Sequence, residues 1–160
     1  MKIVITGHTG GLGKAIYDHY KHDHTVIGLS RSNGYDIRNS QSIVEIAQKA
    51  DIFFNNAYSG VEQANLIDDL LDKTMIVTSG SMAADYAHID NTYFRDKHAI
   101  EQQHKLAKKI SQLPMLLLKM GYLENYADRK PVSYSTVLRA IDLWILEPRI
   151  SMIEFENINY

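Results

Sequence analysis

Short apolar runs alternate with amphipathic helical stripes along this chain, and few folds accommodate that alternation. "KIVIT" (2–6), "TVIGL" (25–29), "DIFFN" (51–55), "MIVTS" (75–79), "PMLLLKM" (114–120) and "ISMIEF" (150–155) are compact and largely apolar, without strict alternation of apolar and polar positions. Strands of that kind are buried on both faces, as in a parallel sheet. Between them lie apolar residues spaced by three and four: Leu12, Ala15, Ile16 and Tyr20; Ile43, Ile46, Ala47 and Ala50, behind a candidate cap at Ser40; and Val137, Ala140, Ile141, Trp144 and Ile145. A short helix over 61–71 and a long one over 92–110 complete the series, and "YDI" (35–37) offers the stub of a further strand. Parallel strands need crossover helices, so the order predicts an α/β fold, a doubly wound parallel sheet with helices on both faces. The 160 residues suit one domain with its own core, and no linker, repeat or low-complexity stretch divides them.

Composition narrows the function. A formal charge of −2 without a basic run gives no reason to expect a nucleic-acid or membrane partner. The chain has no cysteine, which removes disulfides and thiolate chemistry and suits the cytosol. No apolar run is long enough for a signal-peptide core or a membrane span, so a soluble cytoplasmic protein is expected.

"TGHTGGLG" (6–13) joins the first strand to the first helix. In that setting Gly7 permits a tight turn, Gly11 lets the backbone approach a pyrophosphate, and Gly13 lets helix and strand pack closely. The helix N-terminus offers N–H groups and a positive dipole end to phosphates. The spacing is G-x-x-x-G-x-G rather than G-x-G-x-x-G, and a flexible turn without a ligand is the plain alternative. Gly7, His8, Thr9, Gly10, Gly11, Leu12 and Gly13 are thus candidate cofactor contacts, with His8 either touching the cofactor or facing solvent. The second strand ends in "GLSRS", placing Ser30 and Arg31 where an acidic residue would read the ribose 2′-hydroxyl of NAD. A guanidinium suits a 2′-phosphate, so NADP is favoured over NAD, a solvated surface arginine being the alternative.

"TYFRDKHAIE" (92–101) sets Tyr93 one helical turn ahead of Lys97. A free phenol titrates near ~10 and is a poor proton shuttle at neutral pH. A nearby ammonium, joined by the positive ring of an oxidised nicotinamide, favours the phenolate, and ~1.4 kcal/mol of such preference moves the titration by about one pH unit.

The glycine spacing, "NNA" (55–57), a serine after the "MIVT" strand and Tyr93-x-x-x-Lys97, in this order, resemble the short-chain dehydrogenase/reductase family. The resemblance covers nearly the whole chain, extending to "KHAIEQQHKLA", "LLLKMG" and "ISMIEF". It implies a Rossmann-type sheet of about seven strands in the order 3-2-1-4-5-6-7. It also implies an NADP-preferring oxidoreductase that interconverts a small carbonyl and an alcohol, as a homodimer or homotetramer. Tyr93 would be the general acid/base, Lys97 would lower its pKa and hold the cofactor ribose, and Ser81 would polarise the carbonyl, with Ser79 as the fallback. Gly7 to Leu12 would hold the pyrophosphate, Asp36 and Ile37 would meet the adenine, and Asn56 and Ala57 would line the adenosine ribose.

The chain is shorter than typical members. Between Ala57 and the "MIVTS" strand only a short helix fits, where many members carry a longer one with an asparagine that orders water towards the lysine; Asn65 is the candidate substitute. "YLENYADRKPVSYS" (122–135) leaves little room for a helical lid, so the lid is expected to be truncated and the cleft open or closed by a partner subunit. Tyr58 stands where the family usually has glycine, and either narrows the pocket or packs at the loop. Two rival readings stand: a dinucleotide-binding redox sensor or regulatory protein with little catalysis, and a sugar-nucleotide epimerase or dehydratase, which the short C-terminal region disfavours. His19, His22 and His24 gather at a helix C-terminus, where partly protonated imidazoles suit the dipole better than a metal without a ligand motif.

Overall fold

The computed structural model describes residues 1–123 and 131–157. Six strands, β1 (Lys2–Thr6), β2 (Thr25–Leu29), β3 (Ile52–Asn55), β4 (Met75–Ser81), β5 (Met115–Met120) and β6 (Met152–Phe155), form one sheet in the order β2-β1-β3-β4-β5-β6. Every neighbouring pair is parallel. The crossovers are α1 (Gly11–Tyr20), α2 (Gln41–Ala47), α3 (Glu62–Asp69), α4 (Thr92–Ile110) and α5 (Tyr134–Leu146).

The apolar strands feed two cores because successive side chains point to opposite faces. Ile3, Ile5, Ile52, Phe54, Leu116 and Leu118 meet α1 and α5 through Ile16, Ile141 and Trp144. Val4, Phe53, Ile76 and Met115 meet the other layer through Ile43, Leu66, Ile67 and Ala107. Each large side chain so buried contributes about 1.5–3 kcal/mol. Trp144 also satisfies its indole, Nε1 donating to the Ile150 carbonyl at 2.8 Å.

The winding is the expected one, with a strand fewer: residues 35–37 form no strand. The Asp36 carbonyl accepts from Asn39 N at 2.9 Å and the Asp36 carboxylate holds Arg38, which turns the chain, while Ile37 is buried in the core on the α2 side. β4 runs two residues past its expected end because Ser79, Gly80 and Ser81 stay paired with Leu118, Lys119 and Met120. The expected lid truncation over 122–135 falls largely on residues 124–130, outside the described residues. No described helix is long and apolar enough to cross a membrane.

Two features place the site. The chain winds outward from β1 to β2 and then returns to β3 on the other side of β1, so a crevice opens at the C-terminal ends of β1 and β3. α4 begins at a sound cap, Asn91 Oδ1 accepting from Tyr93 N at 2.9 Å, and is fastened to β4 by His104, whose Nδ1 lies 2.9 Å from Thr78 Oγ1.

Candidate active site

A cavity of about 500 Å³ occupies the crevice. Gly7 and Thr9 form its floor, Arg31 and Asp36 its far rim, and Asn56, Ala57 and Tyr58 its near wall. The glycine loop has the shape its sequence promised. Gly7 is left-handed at φ +74°, and a Cβ on Gly13 would stand 2.1 Å from the Gly7 carbonyl oxygen, so strand and helix touch there backbone to backbone. α1 opens at Gly10 without a side-chain cap, and nothing lies within 4 Å of where a Gly10 Cβ would be. An uncapped N-terminus beside open space fits the phosphates of a dinucleotide.

The loop departs from expectation at His8. Its ring does not line the cavity; it packs on β2, where a Cβ on Gly28 would meet it at 2.2 Å, and against Tyr17 at 5.3 Å between ring centroids. At the rim, Ser30 Oγ bonds to Ser32 Oγ at 2.8 Å, and Ser30 N donates to Asn33 Oδ1 at 2.8 Å. These bonds shape a turn that presents Arg31 to the cavity. Ile37 lines the cavity beside Asp36, whose carboxyl the Arg38 guanidinium holds down at about 2. Asn56 has its amide committed within the protein: Nδ2 donates to the Thr6 carbonyl at 3.2 Å and Oδ1 accepts from Ser79 Oγ at 3.0 Å. Ala57 N donates to Thr6 Oγ1 at 3.0 Å, so this stretch ties β1, β3 and β4 together at the crevice.

Tyr93 and Lys97 do not line the cavity themselves; they adjoin it through Tyr58. Tyr58 lines the cavity, meets Tyr93 edge to face at 5.2 Å, and has the Lys97 ammonium 4.8 Å from its ring centroid. Its hydroxyl donates to Asp96 Oδ2 at 2.8 Å. Burial, followed by that hydrogen bond, pushes the Tyr58 phenol up to about 12, so it remains protonated. Tyr93 is 40% exposed, and its ring centroid lies 5.9 Å from Lys97 Nζ. Lys97 is buried; Nζ donates to Gln63 Oε1 at 3.0 Å and to the Ser79 carbonyl at 3.4 Å. Desolvation lowers its pKa to about 8, against a smaller upward pull from Asp96. Ser81 ends β4 on the same face as Ser79, where its hydroxyl accepts from Ala83 N at 3.2 Å and caps a 3₁₀ turn over Met82–Tyr86. Asn65 is not part of the cluster. It faces solvent, donating to Glu62 Oε2 at 2.8 Å, and Gln63 stands against the lysine instead.

His19 of the histidine group pairs with Asp142 on α5 at 3.0 Å, and no three metal-ligating side chains converge among the described residues.

No protein-family model matches the sequence, and no curated protein matches it by sequence similarity. Solved structures do match in three dimensions. The serine dehydrogenase of Escherichia coli superposes with a TM-score of 0.68 at 18% identity, over 96% of this chain and 96% of that one. A short-chain dehydrogenase/reductase of Veillonella parvula, crystallised with NADP, gives 0.68 at 13% identity over 96% and 93%. The 3-α-hydroxysteroid dehydrogenase of a Pseudomonas species, complexed with NADH, gives 0.64 at 17% identity over 96% and 95%. The structural neighbours thus include short-chain dehydrogenases/reductases, and at these identities the likeness is one of fold.

Proposed function

We propose that this chain is a compact nicotinamide-dinucleotide-dependent oxidoreductase of the short-chain dehydrogenase/reductase kind, acting on a small carbonyl or alcohol. The observation that carries the reading is the placement of Tyr93 and Lys97, joined through Tyr58 to a crevice whose glycine floor and uncapped helix suit a pyrophosphate. The likeness to structures crystallised with NADP and NADH supports the same cofactor class. Arg31 on the rim favours the 2′-phosphate of NADP.

When bound, such a cofactor supplies the hydride chemistry. The residues of this chain supply position and protons. The free N–H groups at the start of α1 hold phosphate, and the crevice rim, with Arg31, Asp36 and Ile37, receives the adenosine end. Tyr93 is the general acid/base, with its side chain partly open to solvent. Lys97 presents its charge one turn behind the phenol and reaches the cofactor ribose, while Ser81 donates a hydrogen bond to the substrate oxygen. The Tyr58 hydroxyl is engaged with Asp96, which leaves Tyr93 as the phenol for the proton transfer.

Fluorescence titration with NADPH and NADH, followed by a panel of small aldehydes and ketones, tests the reading. NADPH is expected to bind more tightly, with the difference lost in Arg31→Ala, and Tyr93→Phe is expected to abolish turnover while binding persists. Tight binding with no turnover by the parent would turn the reading towards a dinucleotide sensor. Equal turnover by parent and Tyr93→Phe would remove the phenol from the mechanism.

A further inference from the structure

Gln63 is wholly buried at the second residue of α3, where an unsatisfied amide would be costly. Every polar atom of its side chain has a partner. Nε2 donates to the Asn55 carbonyl at 2.7 Å and to the Ser79 carbonyl at 3.1 Å. Carbonyl oxygens only accept, so the amide cannot be turned around, and Oε1 is forced to face Lys97 Nζ at 3.0 Å. Asn55 closes the arrangement from the other side, its Nδ2 donating to the Gln63 backbone carbonyl at 2.7 Å. The start of α3 and the ends of β3 and β4 are thereby locked around one acceptor, aimed at one ammonium.

The surroundings of that ammonium make the acceptor matter. Lys97 has three N–H groups, and the protein offers them Gln63 Oε1 and, at a longer 3.4 Å, the Ser79 carbonyl. The titratable groups around it are Asp96 and Tyr93 on its own helix and Tyr58 in the loop after β3; the Asp96 carboxylate accepts from Tyr58. Glu101, a further turn along α4, is engaged by Lys105 and Lys119. No carboxylate forms an ion pair with Lys97 among the described residues.

We propose that Gln63 is a positioning residue: its rigid amide oxygen sets where the Lys97 ammonium sits and keeps it charged, leaving one N–H for the side where Tyr58 and Tyr93 stand. This rests on the reading of Tyr93 and Lys97 as the working pair. A glutamine serves better than a carboxylate in this role, because a carboxylate would bind the ammonium as an ion pair and would lack the donors that Asn55 and Ser79 require.

The test reads Lys97 directly. Protein labelled with ¹³C at the lysine Cε carbon is titrated by NMR, with Lys97→Met identifying the resonance and the parent expected to titrate near 8. Gln63→Met keeps the length and removes the acceptor, and the lysine is expected to titrate lower by about one pH unit. Gln63→Glu keeps the shape and supplies negative charge, and the lysine is expected to titrate higher, in the opposite direction. The alkaline limb of the pH profile of kcat moves with the lysine in each variant. Should Gln63→Met fail to fold, as judged by circular dichroism, Gln63→Asn, which keeps an amide but withdraws its oxygen by one carbon, takes its place, and the lysine is again expected to titrate lower. A lysine that titrates unchanged in the folded variants overturns the proposal even if the parent turns over carbonyls. A parent inert towards every carbonyl, but with a lysine that responds to Gln63, overturns the proposed function and leaves the control of Lys97 by Gln63 standing.

Discussion

Replacing His104 by asparagine tests whether α4 is fastened to the sheet by a neutral imidazole. His104 is 1% exposed, with Nδ1 2.9 Å from Thr78 Oγ1 and Nε2 buried without a partner. Burial, aided by the charge of Lys108, lowers its pKa from 6.5 to about 4. The unfolded chain therefore takes up a proton near pH 6.5 that the folded chain refuses until about pH 4. Stability is then complete above pH 6.5 and is lost as the pH falls towards 4. Between pH 7.5 and 5 the loss from this one group comes to ~2 kcal/mol, at about 1.4 kcal/mol per pH unit. Urea unfolding over that range, followed by the fluorescence of Trp144 and by circular dichroism, measures it. His104→Asn can still bond Thr78 but does not titrate, and its smaller side chain lowers stability at pH 7.5 by ~1–3 kcal/mol. Its stability should nevertheless fall less steeply with pH, by about the 2 kcal/mol that histidine contributes to the slope. Parallel curves for parent and variant would refute the argument.

Two further substitutions probe the glycine loop. Gly13→Ala places a methyl 2.1 Å from the Gly7 carbonyl oxygen, a backbone atom that cannot swing aside. A loss of about 1–3 kcal/mol or more in a thermal melt is expected, with weaker NADPH binding in the titration. Gly28→Ala drives a methyl into the His8 ring at 2.2 Å, but that ring is a side chain. The double variant Gly28→Ala with His8→Ala should recover most of the lost melting temperature, and a double variant no more stable than Gly28→Ala would show that something other than the ring needs the space.

The frame of this molecule was legible because its signals are local. The long helix expected over 92–110 is α4 with those bounds, and "TGHTGGLG" sits between β1 and α1 with Gly13 as the point of backbone contact. Asn65 and Gln63 show what local signals omit. Both are polar residues in the same short helix, and two positions on a helix differ by about 200°, so when Gln63 turns inward Asn65 must turn out. The partners that draw Gln63 inward lie 8, 16 and 34 residues away, beyond any local pattern. His8 had a fainter signal that did exist: Gly28 interrupts an apolar strand, and a strand glycine often marks another group lying close. The "YDI" stub failed for the opposite reason, since its apolar residues answer to burial beneath α2 and its backbone to the Asp36–Arg38 turn.

The contrast between two buried lysines bears most directly on function. Lys119, on β5, is as inaccessible as Lys97, but it meets Asp85 at 2.5 Å and Glu101 at 3.5 Å. Burial works against its charge, yet these carboxylates outweigh it and its pKa is raised. Such a lysine is fixed in its charged state, a structural tie between β5, α4 and the turn after β4. Lys97 receives only neutral oxygens, the face of Tyr58 and the more distant influence of Asp96, and burial carries its pKa down to about 8. A fold needing a mere spacer at this point would pair the ammonium or replace it with an apolar residue. Lys97 instead keeps neutral oxygens as its partners beside an exposed phenol, which is the arrangement the proposed function draws on.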